Sequence, residues 1–258
     1  MSNHNYLLSI AGLDPSSGAG LTADIKTFEA HGFYGLSVCT AITIQNDIDF
    51  KESHWVDTAI IIKQIETLFE RFEIHVVKIG VIENWTVLAT IVEKLHELNA
   101  SIKIIVDPVL SASSGFVFHS EMDLNVLDSL MDKIYILTPN YEEIQRLYPA
   151  LNIEETIAHI SGKTNIYLKG GHRTDKKGWD ELYHSQIVMV NLPPGVIEIS
   201  EKHGSGCVLS SALAANIALN LELEEACINA KNYTEHFLNS NLSLLGNHNY
   251  NRIQQSVK

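Results

Sequence analysis

The sequence predicts an α/β protein in which a mostly parallel sheet is covered by helices on both faces. The first observation is that short apolar runs alternate with segments of helical periodicity along most of the 258 residues. The second is that a polar or glycine-rich motif follows nearly every apolar run. Regular alternation of strands and helices is typical of parallel sheets, whose ligands bind where the strands end.

Six segments are predicted to be buried strands, because each is a short apolar run bounded by polar or turn-forming residues. They are Tyr6–Ala11, Leu36–Ile44, Val76–Val81, Lys103–Val106, Lys133–Leu137 and Asn165–Leu168. The following part of the chain has a different pattern. Asp180–Asn191 alternates weakly, Pro193–Gly195 turns the chain, and Val196–Ser200 alternates again, which predicts a small antiparallel hairpin at one edge of the sheet.

The clearest helix prediction is Val56–Phe72, whose apolar residues recur at helical spacing on one face. Trp85–Leu98 repeats this pattern, and Ser205–Asn220 and Leu223–Ser240 are predicted to form the last two helices. No linker, repeat or low-complexity stretch interrupts the chain. Residues 1–258 are therefore predicted to form a single domain.

The formal net charge of −13 argues against binding to nucleic acid or to anionic membranes, because both require a basic face. The three cysteines, Cys39, Cys207 and Cys227, lie far apart in the chain, so neither a disulfide framework nor a zinc site is expected. The first residues lack a secretory pattern, and no apolar run approaches the length of about 18 residues that a membrane span needs. We therefore expect a cytoplasmic protein.

The segment His203-Gly-Ser-Gly-Cys207, followed by an apolar run, predicts an anion-binding helix N-terminus. Glycines on both sides of Ser205 leave backbone N–H groups unobstructed, and the positive end of the helix dipole points to the same place. Cys207 would place a possible proton acceptor beside the phosphate, as phosphoryl transfer to an alcohol requires. The alternative is a loop that only starts a helix around a buried, inert cysteine.

A second glycine-rich loop follows the first predicted strand. Gly12-Leu-Asp-Pro-Ser-Ser-Gly-Ala-Gly20 allows a ligand to approach the backbone closely, and Asp24 lies in the first turn of the next helix. It is not a Walker loop, because no Gly-Lys-[Ser/Thr] follows. The alternative is a flexible loop followed by a carboxylate that the helix dipole favours.

Other predicted strands also end in polar residues. Gln45 offers an acceptor and two donors to the edge of a heterocycle, although Gln45-Asn46 is also an ordinary turn sequence. Asp107 can orient Mg²⁺ through water, although Asp107-Pro108 is a turn signal as well. Lys169, in Lys169-Gly-Gly-His172, is a cation that can meet a phosphate.

Thr138-Pro-Asn140-Tyr-Glu-Glu143 runs from a predicted strand into a helix. Asn140 and Glu143 have the spacing of a capping box, which is the favoured interpretation of this segment alone. The alternative is that the same two residues supply oxygen ligands to a magnesium–phosphate cluster.

Together these motifs resemble those of the hydroxymethylpyrimidine/phosphomethylpyrimidine kinases of thiamine biosynthesis, which belong to the ribokinase-like superfamily. The resemblance covers nearly the whole chain and implies a three-layer α/β/α sandwich. The matching segments are Ser9–Asp14 with Gly18–Gly20, Ala23–Phe28, Thr40–Asn46, Lys78–Gly80, Asp107–Val109, Thr138–Asn140, Lys169–His172 and His203–Cys207.

The resemblance implies a role for each motif, with ATP and Mg²⁺ as the phosphoryl donor and its metal. Cys207 would be the base that faces the hydroxymethyl group, and Gln45 would hydrogen-bond the aminopyrimidine. The anion hole over the transferring phosphoryl group would consist of Gly204, Ser205 and Gly206. The remaining implied residues are Gly12, Asp24 and Val109 in the pyrimidine pocket, Asp107, Asn140 and Glu143 around water-bound Mg²⁺, and Lys169, Asn140 and Glu143 around ATP.

The chain departs from the usual family pattern at four positions. Thr22 stands where Gln is common and Val81 where Met is common, and both are implied to bear on the pocket wall. Ser205 replaces a Thr and preserves the backbone donors. Lys202 stands where Thr is frequent and is expected near the nucleotide, where it would alter the affinity for ATP.

Two alternative functions remain open at this point: a pyridoxine or pyridoxal kinase of vitamin B6 salvage, and a non-catalytic pyrimidine sensor. The phosphate and metal residues argue against the sensor, which would not need them. We further hypothesise that the helix dipole lowers the pKa of Cys207. The family resemblance also implies a homodimer.

Overall fold

The computed structural model describes residues 5–111, 118, 123–171, 173, 175–195 and 199–248. His172, most of the loop Ser111–Gly115 and residues 196–198 of the predicted hairpin lie outside the described residues. The strands are β1 (Tyr6–Leu13), β2 (Tyr34–Gln45), β3 (Phe50–Trp55), β4 (Ile74–Ile79), β5 (Lys103–Val106), β6 (Ile136–Leu137), β7 (Asn165–Leu168), β8 (Asp180–His184) and β9 (Ile187–Leu192). The helices are α1 (Gly20–Ala30), α2 (Thr58–Phe69), α3 (Trp85–Leu98), α4 (Leu124–Met131), α5 (Tyr141–Leu147), α6 (Ile153–Ser161), α7 (Ser205–Ala218) and α8 (Leu223–Leu238).

These nine strands form one sheet in the order β3-β2-β1-β4-β5-β6-β7-β8-β9. The pairs from β2 through β1 and β4 to β7 are parallel, whereas β3, β8 and β9 pair antiparallel at the two edges. The next strand in the chain, β2, pairs with one edge of β1, and β4 later pairs with the opposite edge of β1. This reversal creates a crevice at the carboxyl ends of β1 and β4, where ligands bind in open α/β sheets.

Two apolar cores lie on opposite faces of the sheet. One is formed by α2 to α6 against residues such as Leu8 and Ile10, and the other by α1, α7 and α8 against residues such as Leu7 and Ile105. α7 is buried on nearly all sides from Val208 to Ile217, so its first turn is held in a fixed place at the sheet edge. The predicted three-layer α/β/α arrangement is confirmed, and the single domain over residues 1–258 stays a prediction.

The structure differs from the sequence predictions at both edges. The strand β3 was not predicted, because Phe50–Trp55 is half-buried or exposed and lacks an apolar pattern. The hairpin turn was predicted at Pro193–Gly195, and this position is wrong: the chain turns at Ser185 and Gln186, whose φ values are +49° and +66°. Two positive φ values match the twist of a tight hairpin, but Ser-Gln is not a sequence that signals such a turn. In the described part of the chain, no helix has the length and apolar character to cross a membrane.

Candidate active site

The first turn of α7 lies against the loop that joins β1 to α1. Gly204, at the N-cap, has a φ of +75°, and a Cβ there would lie 2.0 Å from the carbonyl oxygen of Gly18. Only glycine combines this backbone conformation with this close approach. No side chain of the described residues caps α7, so the N–H groups of its first turn remain available as donors, and their use as an anion site stays a prediction. The predicted placement of Gly204, Ser205 and Gly206 at a helix N-terminus is confirmed.

Asp14 organises the opposite loop, although the sequence argument gave it no role. Its carboxylate accepts hydrogen bonds from the backbone N–H groups of Ser16, Gly18 and Ala19, at 2.8, 3.2 and 2.8 Å. His203 Nε2 lies 2.8 Å from the same carboxylate and so connects the loop to α7. Burial acts to raise the pKa of Asp14, but the hydrogen bonds from His203 and Ser16 hold it below its ordinary value. An Asp followed by Pro-Ser-Ser-Gly is typical of such a turn, but its pairing with His203 could not be read from the sequence.

Asp24 forms a completely buried ion pair with Lys78 behind the first turn of α7. Lys78 Nζ lies 2.9 and 2.8 Å from the two carboxylate oxygens. Ser9 and Ser211 donate to the same carboxylate at 2.6 and 2.8 Å, so both oxygens are used by internal donors. The geometry thus gives Asp24 a supporting position rather than one at the surface of a pocket. Lys78 was missed as a functional residue, although a lysine inside the apolar run of β4 signals a buried partner.

Cys207 lies one helical turn before Ser211, on the side of α7 that faces this ion pair. Burial raises the pKa of the Cys207 thiol to about 11, and the carboxylates of Asp24 and Asp107 act in the same direction. Lys78 and a hydrogen bond from the backbone of Gly20 oppose the rise without cancelling it. The hypothesis that the helix dipole leaves Cys207 with a lowered pKa is therefore wrong, because burial and the neighbouring carboxylates outweigh the field of the helix.

A second buried acid–base cluster lies on the other side of α7. Asp107 accepts hydrogen bonds from Lys169 Nζ at 2.7 Å and from Thr138 Oγ1 at 3.2 Å, and Glu143 lies 3.6 Å from the same ammonium group. Burial acts to raise the pKa of Asp107, but the positive charge of Lys169 holds it below its usual value. Burial raises the pKa of Glu143, with Lys169 acting in the opposite direction. A Cβ on Gly206 would lie 3.5 Å from Lys169 Nζ, so this cluster adjoins the anion site.

The capping interpretation of Asn140 is confirmed. Its side-chain oxygen accepts hydrogen bonds from the N–H groups of Glu142 and Glu143, and Glu143 accepts from the N–H of Asn140 at 2.7 Å. The side-chain oxygen of Asn140 is therefore occupied by the start of α5. Asp107 and Glu143 remain as carboxylates that could face a metal, and the described residues include no group of three or more His, Cys, Asp or Glu side chains arranged to bind one.

Gly12 and Gln45 come together where β1 meets the β2–β3 hairpin. A Cβ on Gly12 would lie 3.8 Å from the Thr43 methyl group, and Gln45 Nε2 donates to Thr43 Oγ1 at 2.9 Å. Val109 is half-buried and follows directly on Asp107, its N–H bonded to the Asp107 carbonyl oxygen at 2.8 Å. Gly12 and Gln45 thus both lie against Thr43, whereas Asp24, on α1, is buried against β1, β4 and α7.

Two of the unusual residues serve internal contacts. Thr22 Oγ1 lies 3.4 and 3.3 Å from the carbonyl oxygens of Asp14 and Ala19, and so steadies the β1–α1 loop. Lys202 is 6% exposed and donates to the carbonyl oxygen of Asn241 at 2.7 Å. The ammonium group is thus directed to the C-terminal end of the described chain, and the expectation that Lys202 lies near the nucleotide and alters the affinity for ATP stays a prediction.

Comparison with known proteins assigns the chain to a family. Residues 14–251 match the model of a family described as phosphomethylpyrimidine kinase. The chain belongs to this family. A hydroxymethylpyrimidine/phosphomethylpyrimidine kinase of Rhizobium meliloti is 34% identical over 240 residues, which cover 88% of this chain and 87% of that protein.

Solved structures confirm the ribokinase-like architecture. A phosphomethylpyrimidine kinase of Clostridium difficile superposes with a TM-score of 0.71 at 33% identity, covering 91% of this chain and 98% of that one. A pyridoxal kinase of Staphylococcus aureus in complex with AMP-PCP superposes with a TM-score of 0.84 at 26% identity, covering 98% of this chain and 96% of that one. Fold similarity is thus high to both kinds of kinase, and the sequence similarity is higher to the pyrimidine kinase.

Proposed function

We propose that this protein phosphorylates the hydroxymethyl group of 4-amino-5-hydroxymethyl-2-methylpyrimidine and then the phosphate of that product, with MgATP as donor, for thiamine biosynthesis. The observation that carries the proposal is the uncapped N-terminus of α7, which contains Cys207 and lies beside the Lys169–Asp107 pair, in a chain of the phosphomethylpyrimidine kinase family. Phosphoryl transfer depends mainly on positioning and on neutralising charge, which this arrangement supplies.

The first-turn N–H groups of α7 and the ammonium of Lys169 would hold the transferring phosphoryl group. Gly204, Ser205 and Gly206 supply backbone donors whose positions are fixed before the reaction, so they need not reorganise as charge develops. Lys169 Nζ lies 2.7 Å from the Asp107 carboxylate, which holds it next to Gly206 in the first turn of α7. These groups serve both phosphorylation steps, because both transfer a phosphoryl group to an oxygen.

Cys207 would accept the proton of the substrate alcohol in the first step. A thiol with a pKa of about 11 is almost entirely protonated at neutral pH, so only a small thiolate fraction could act as base. The proton leaves late in phosphoryl transfer, when the oxygen has become more acidic, which limits the demand on this base. In the second step the acceptor is a phosphate, which needs no base.

Asp107 and Glu143 fit a magnesium ion that is held through water and through ATP. Mg²⁺ takes oxygen ligands and commonly keeps several waters, with one or two protein carboxylates and the substrate phosphates completing its shell. Two buried carboxylates that share one lysine match this kind of site and not an all-protein cage. When bound, Mg²⁺ would neutralise charge on the phosphate oxygens. Asn140 would act by fixing Glu143 at the start of α5.

Gln45 would select the pyrimidine by its hydrogen-bonding edge. Thr43 Oγ1 accepts a hydrogen bond from one N–H of the Gln45 side-chain amide and thereby orients this amide. None of the described residues donates a hydrogen bond to the amide oxygen of Gln45. The amide can then offer an acceptor and a second donor to an aminopyrimidine. Gly12 and Val109 would form apolar surfaces against the ring, and Asp24 would support the pocket from behind.

A pyridoxal kinase is the second candidate, because the Staphylococcus aureus pyridoxal kinase superposes with the TM-score of 0.84. Pyridoxal also carries a hydroxymethyl group on a flat heterocycle but differs in the polarity of the ring edge. A non-catalytic sensor is disfavoured by the buried Lys169–Asp107 pair beside the anion site. A homodimer and a cytoplasmic location remain proposals; light scattering of the purified protein measures the former.

The deciding experiment is ATP consumption by the purified protein with hydroxymethylpyrimidine, its monophosphate or pyridoxal at one magnesium concentration. Turnover of both pyrimidines well above that of pyridoxal is the expected result. A preference for pyridoxal would assign the chain to vitamin B6 salvage, and tight pyrimidine binding without turnover would favour the sensor. Gln45→Leu should reduce pyrimidine turnover more than pyridoxal turnover, and Gln64→Leu, outside the proposed pocket, is the matched control.

A further inference from the structure

The last described segment, Asn241–His248, lies over the start of α7. The N–H of His203 donates to the carbonyl oxygen of Leu244 at 2.9 Å, and Lys202 Nζ donates to that of Asn241 at 2.7 Å. A Cβ on Gly18 would lie 2.7 Å from Leu245 Cδ2. The segment therefore contacts both loops that form the anion site, although it lies far from them in sequence.

This segment is closed on itself and anchored to the body of the protein. Asn241 accepts a hydrogen bond from the N–H of Ser243 at 2.8 Å and donates to the carbonyl oxygen of Leu245 at 3.0 Å. The ring of His248 lies 4.8 Å from that of Phe237, which belongs to α8. Because this segment has internal hydrogen bonds and packs against α8, it can hold Lys202 and His203, which bond to it, in place.

Lys202 is the residue that most strongly indicates a function for the contact between Asn241–His248 and the start of α7. Lys202 is 6% exposed as a residue, and its ammonium group forms no ion pair with a carboxylate of the described residues and donates to the carbonyl oxygen of Asn241. Burying a charge in this way costs free energy unless hydrogen bonds compensate. The long stem of lysine is what spans the distance from the start of α7 to Asn241.

We infer that Lys202 is a positioning residue that fastens the segment Asn241–His248 to the start of α7 and so sets the place of the phosphate-binding N–H groups. This inference rests on the proposed kinase function. The path is short: Lys202 and His203 are bonded to the segment, His203 bonds Asp14 at 2.8 Å, and Gly204 touches Gly18. A displacement of these residues moves the anion hole directly, and small misplacements cost large factors in rate.

The test compares Lys202→Met with Lys202→Arg in the full chain, and uses Lys133→Met as control because Lys133 lies on the surface near the start of β6, away from the site. Lys202→Met should lower kcat for both pyrimidine acceptors about tenfold, weaken AMP-PCP binding, and leave the KM for the pyrimidine alcohol within about twofold. The exchange of the His203 amide hydrogen should become about tenfold faster, because its bond to Leu244 loosens. Lys202→Arg should restore these values to within about threefold of the wild type, since arginine keeps the long stem and the donor.

Unchanged amide exchange and unchanged kcat in Lys202→Met would overturn the inference, as would a rise in pyrimidine KM equal to the loss in kcat. If Lys202→Met does not fold, Leu245→Ala removes the contact with Gly18 from a partly exposed side chain and should change kcat and His203 exchange in the same direction. Amide exchange and AMP-PCP binding need no acceptor substrate. They therefore decide the inference even if the wild-type protein phosphorylates neither pyrimidine, a result that would refute the proposed function alone.

Discussion

At the scale of single residues, the protonation of Cys207 follows from the charges around it. Asp24–Lys78 and Asp107–Lys169 are buried acid–base pairs on its two sides, with nitrogen–oxygen distances of 2.8 and 2.7 Å. Each pair is close to neutral, so neither supplies the excess positive charge that would stabilise a thiolate. Burial therefore decides the pKa of Cys207, and it favours the thiol.

Cys207→Ala should separate the two phosphorylation steps. Loss of a general base costs about 100-fold or more in rate, so phosphorylation of the alcohol should fall by that factor. Phosphorylation of the monophosphate should fall less than about tenfold, because a phosphate acceptor needs no base. Steady-state kinetics with each acceptor measures this, with Cys39→Ala as control; an equal loss in both steps would refute the assigned role.

The pH dependence should differ between the steps in the same way. The thiolate is the active form, and below a pKa of about 11 its fraction rises with pH, so kcat/KM for the alcohol should increase about tenfold per pH unit between about pH 7 and 9. The slope should vanish in Cys207→Ala and should be absent for the monophosphate. A flat profile for the alcohol in the wild-type enzyme would exclude Cys207 as the base.

At the scale of elements, the anion site depends on how closely α7 approaches the β1–α1 loop. Glycine is required at position 204 by its φ of +75° and by the carbonyl oxygen of Gly18, 2.0 Å from where a Cβ would lie. Gly20 has the same two constraints, with a φ of +56° and a distance of 2.2 Å to the Gly12 carbonyl oxygen. Backbone contact of this kind leaves no flexible side chain that could move aside.

Gly204→Ala should therefore destabilise the protein more than an alanine that meets backbone strain alone. Gly32 provides the matched control, since its φ is +84° and a Cβ there would meet no heavy atom within 4 Å. Gly32→Ala should cost about 1–2 kcal/mol in the free energy of unfolding, and Gly204→Ala distinctly more, with loss of AMP-PCP binding. Urea unfolding of both variants checks this; equal costs would show that the contact with Gly18 relaxes freely.

The Asp24–Lys78 pair connects four elements, because its hydrogen bonds reach Ser9 on β1 and Ser211 on α7. Lys78→Met should lower the free energy of unfolding by about 3–5 kcal/mol, because it leaves a buried carboxylate without its cation. The double variant Asp24→Asn/Lys78→Met should recover part of this loss. Glu93→Gln, at an exposed ion pair with Lys133, should cost less than about 1 kcal/mol. Additive losses in the double variant would contradict the coupling.

At the scale of the whole molecule, the sheet order brings distant segments to one edge. Strands β1, β4, β5, β6 and β7 end at the same side of the sheet, and α7 enters from one face with its positive end towards them. The two cores on either face hold this arrangement, and among the described residues no group of three or more His, Cys, Asp or Glu side chains is arranged to bind a metal.

Removal of magnesium should therefore abolish turnover without unfolding the protein. Asp107 and Glu143 are already compensated by Lys169, so their site does not need a metal ion to be stable. Excess EDTA should leave the melting temperature within about 1 °C, whereas the loss of bound metal that contributed about 1 kcal/mol of stability would lower it by about 2–4 °C in a chain of this length. A large fall in melting temperature would identify a structural metal that the described residues do not reveal.

Most of the fold was predictable because its strands are short apolar runs and its helices have apolar faces. The hairpin strand β3 was missed because all of its residues are exposed or only half-buried, so it has no core pattern. The turn between β8 and β9 was misplaced because Pro-Pro-Gly is a stronger local signal than Ser-Gln. Local propensity failed where the neighbouring strand, and not the segment itself, determined the conformation.

The motifs Gly12–Gly20, Asp107, Thr138–Asn140, Lys169 and Gly204–Cys207 could be found from the sequence, since each is a distinctive group at the end of a strand or the start of a helix. The sequence also determined that they would meet, because parallel strands end at one edge. Only the tertiary structure decided how they are used. It buried Asp24 against Lys78, left Asn140 as a cap, turned Lys202 to Asn241 and raised the pKa of Cys207, because desolvation and partners far apart in the chain set the charge and direction of a side chain.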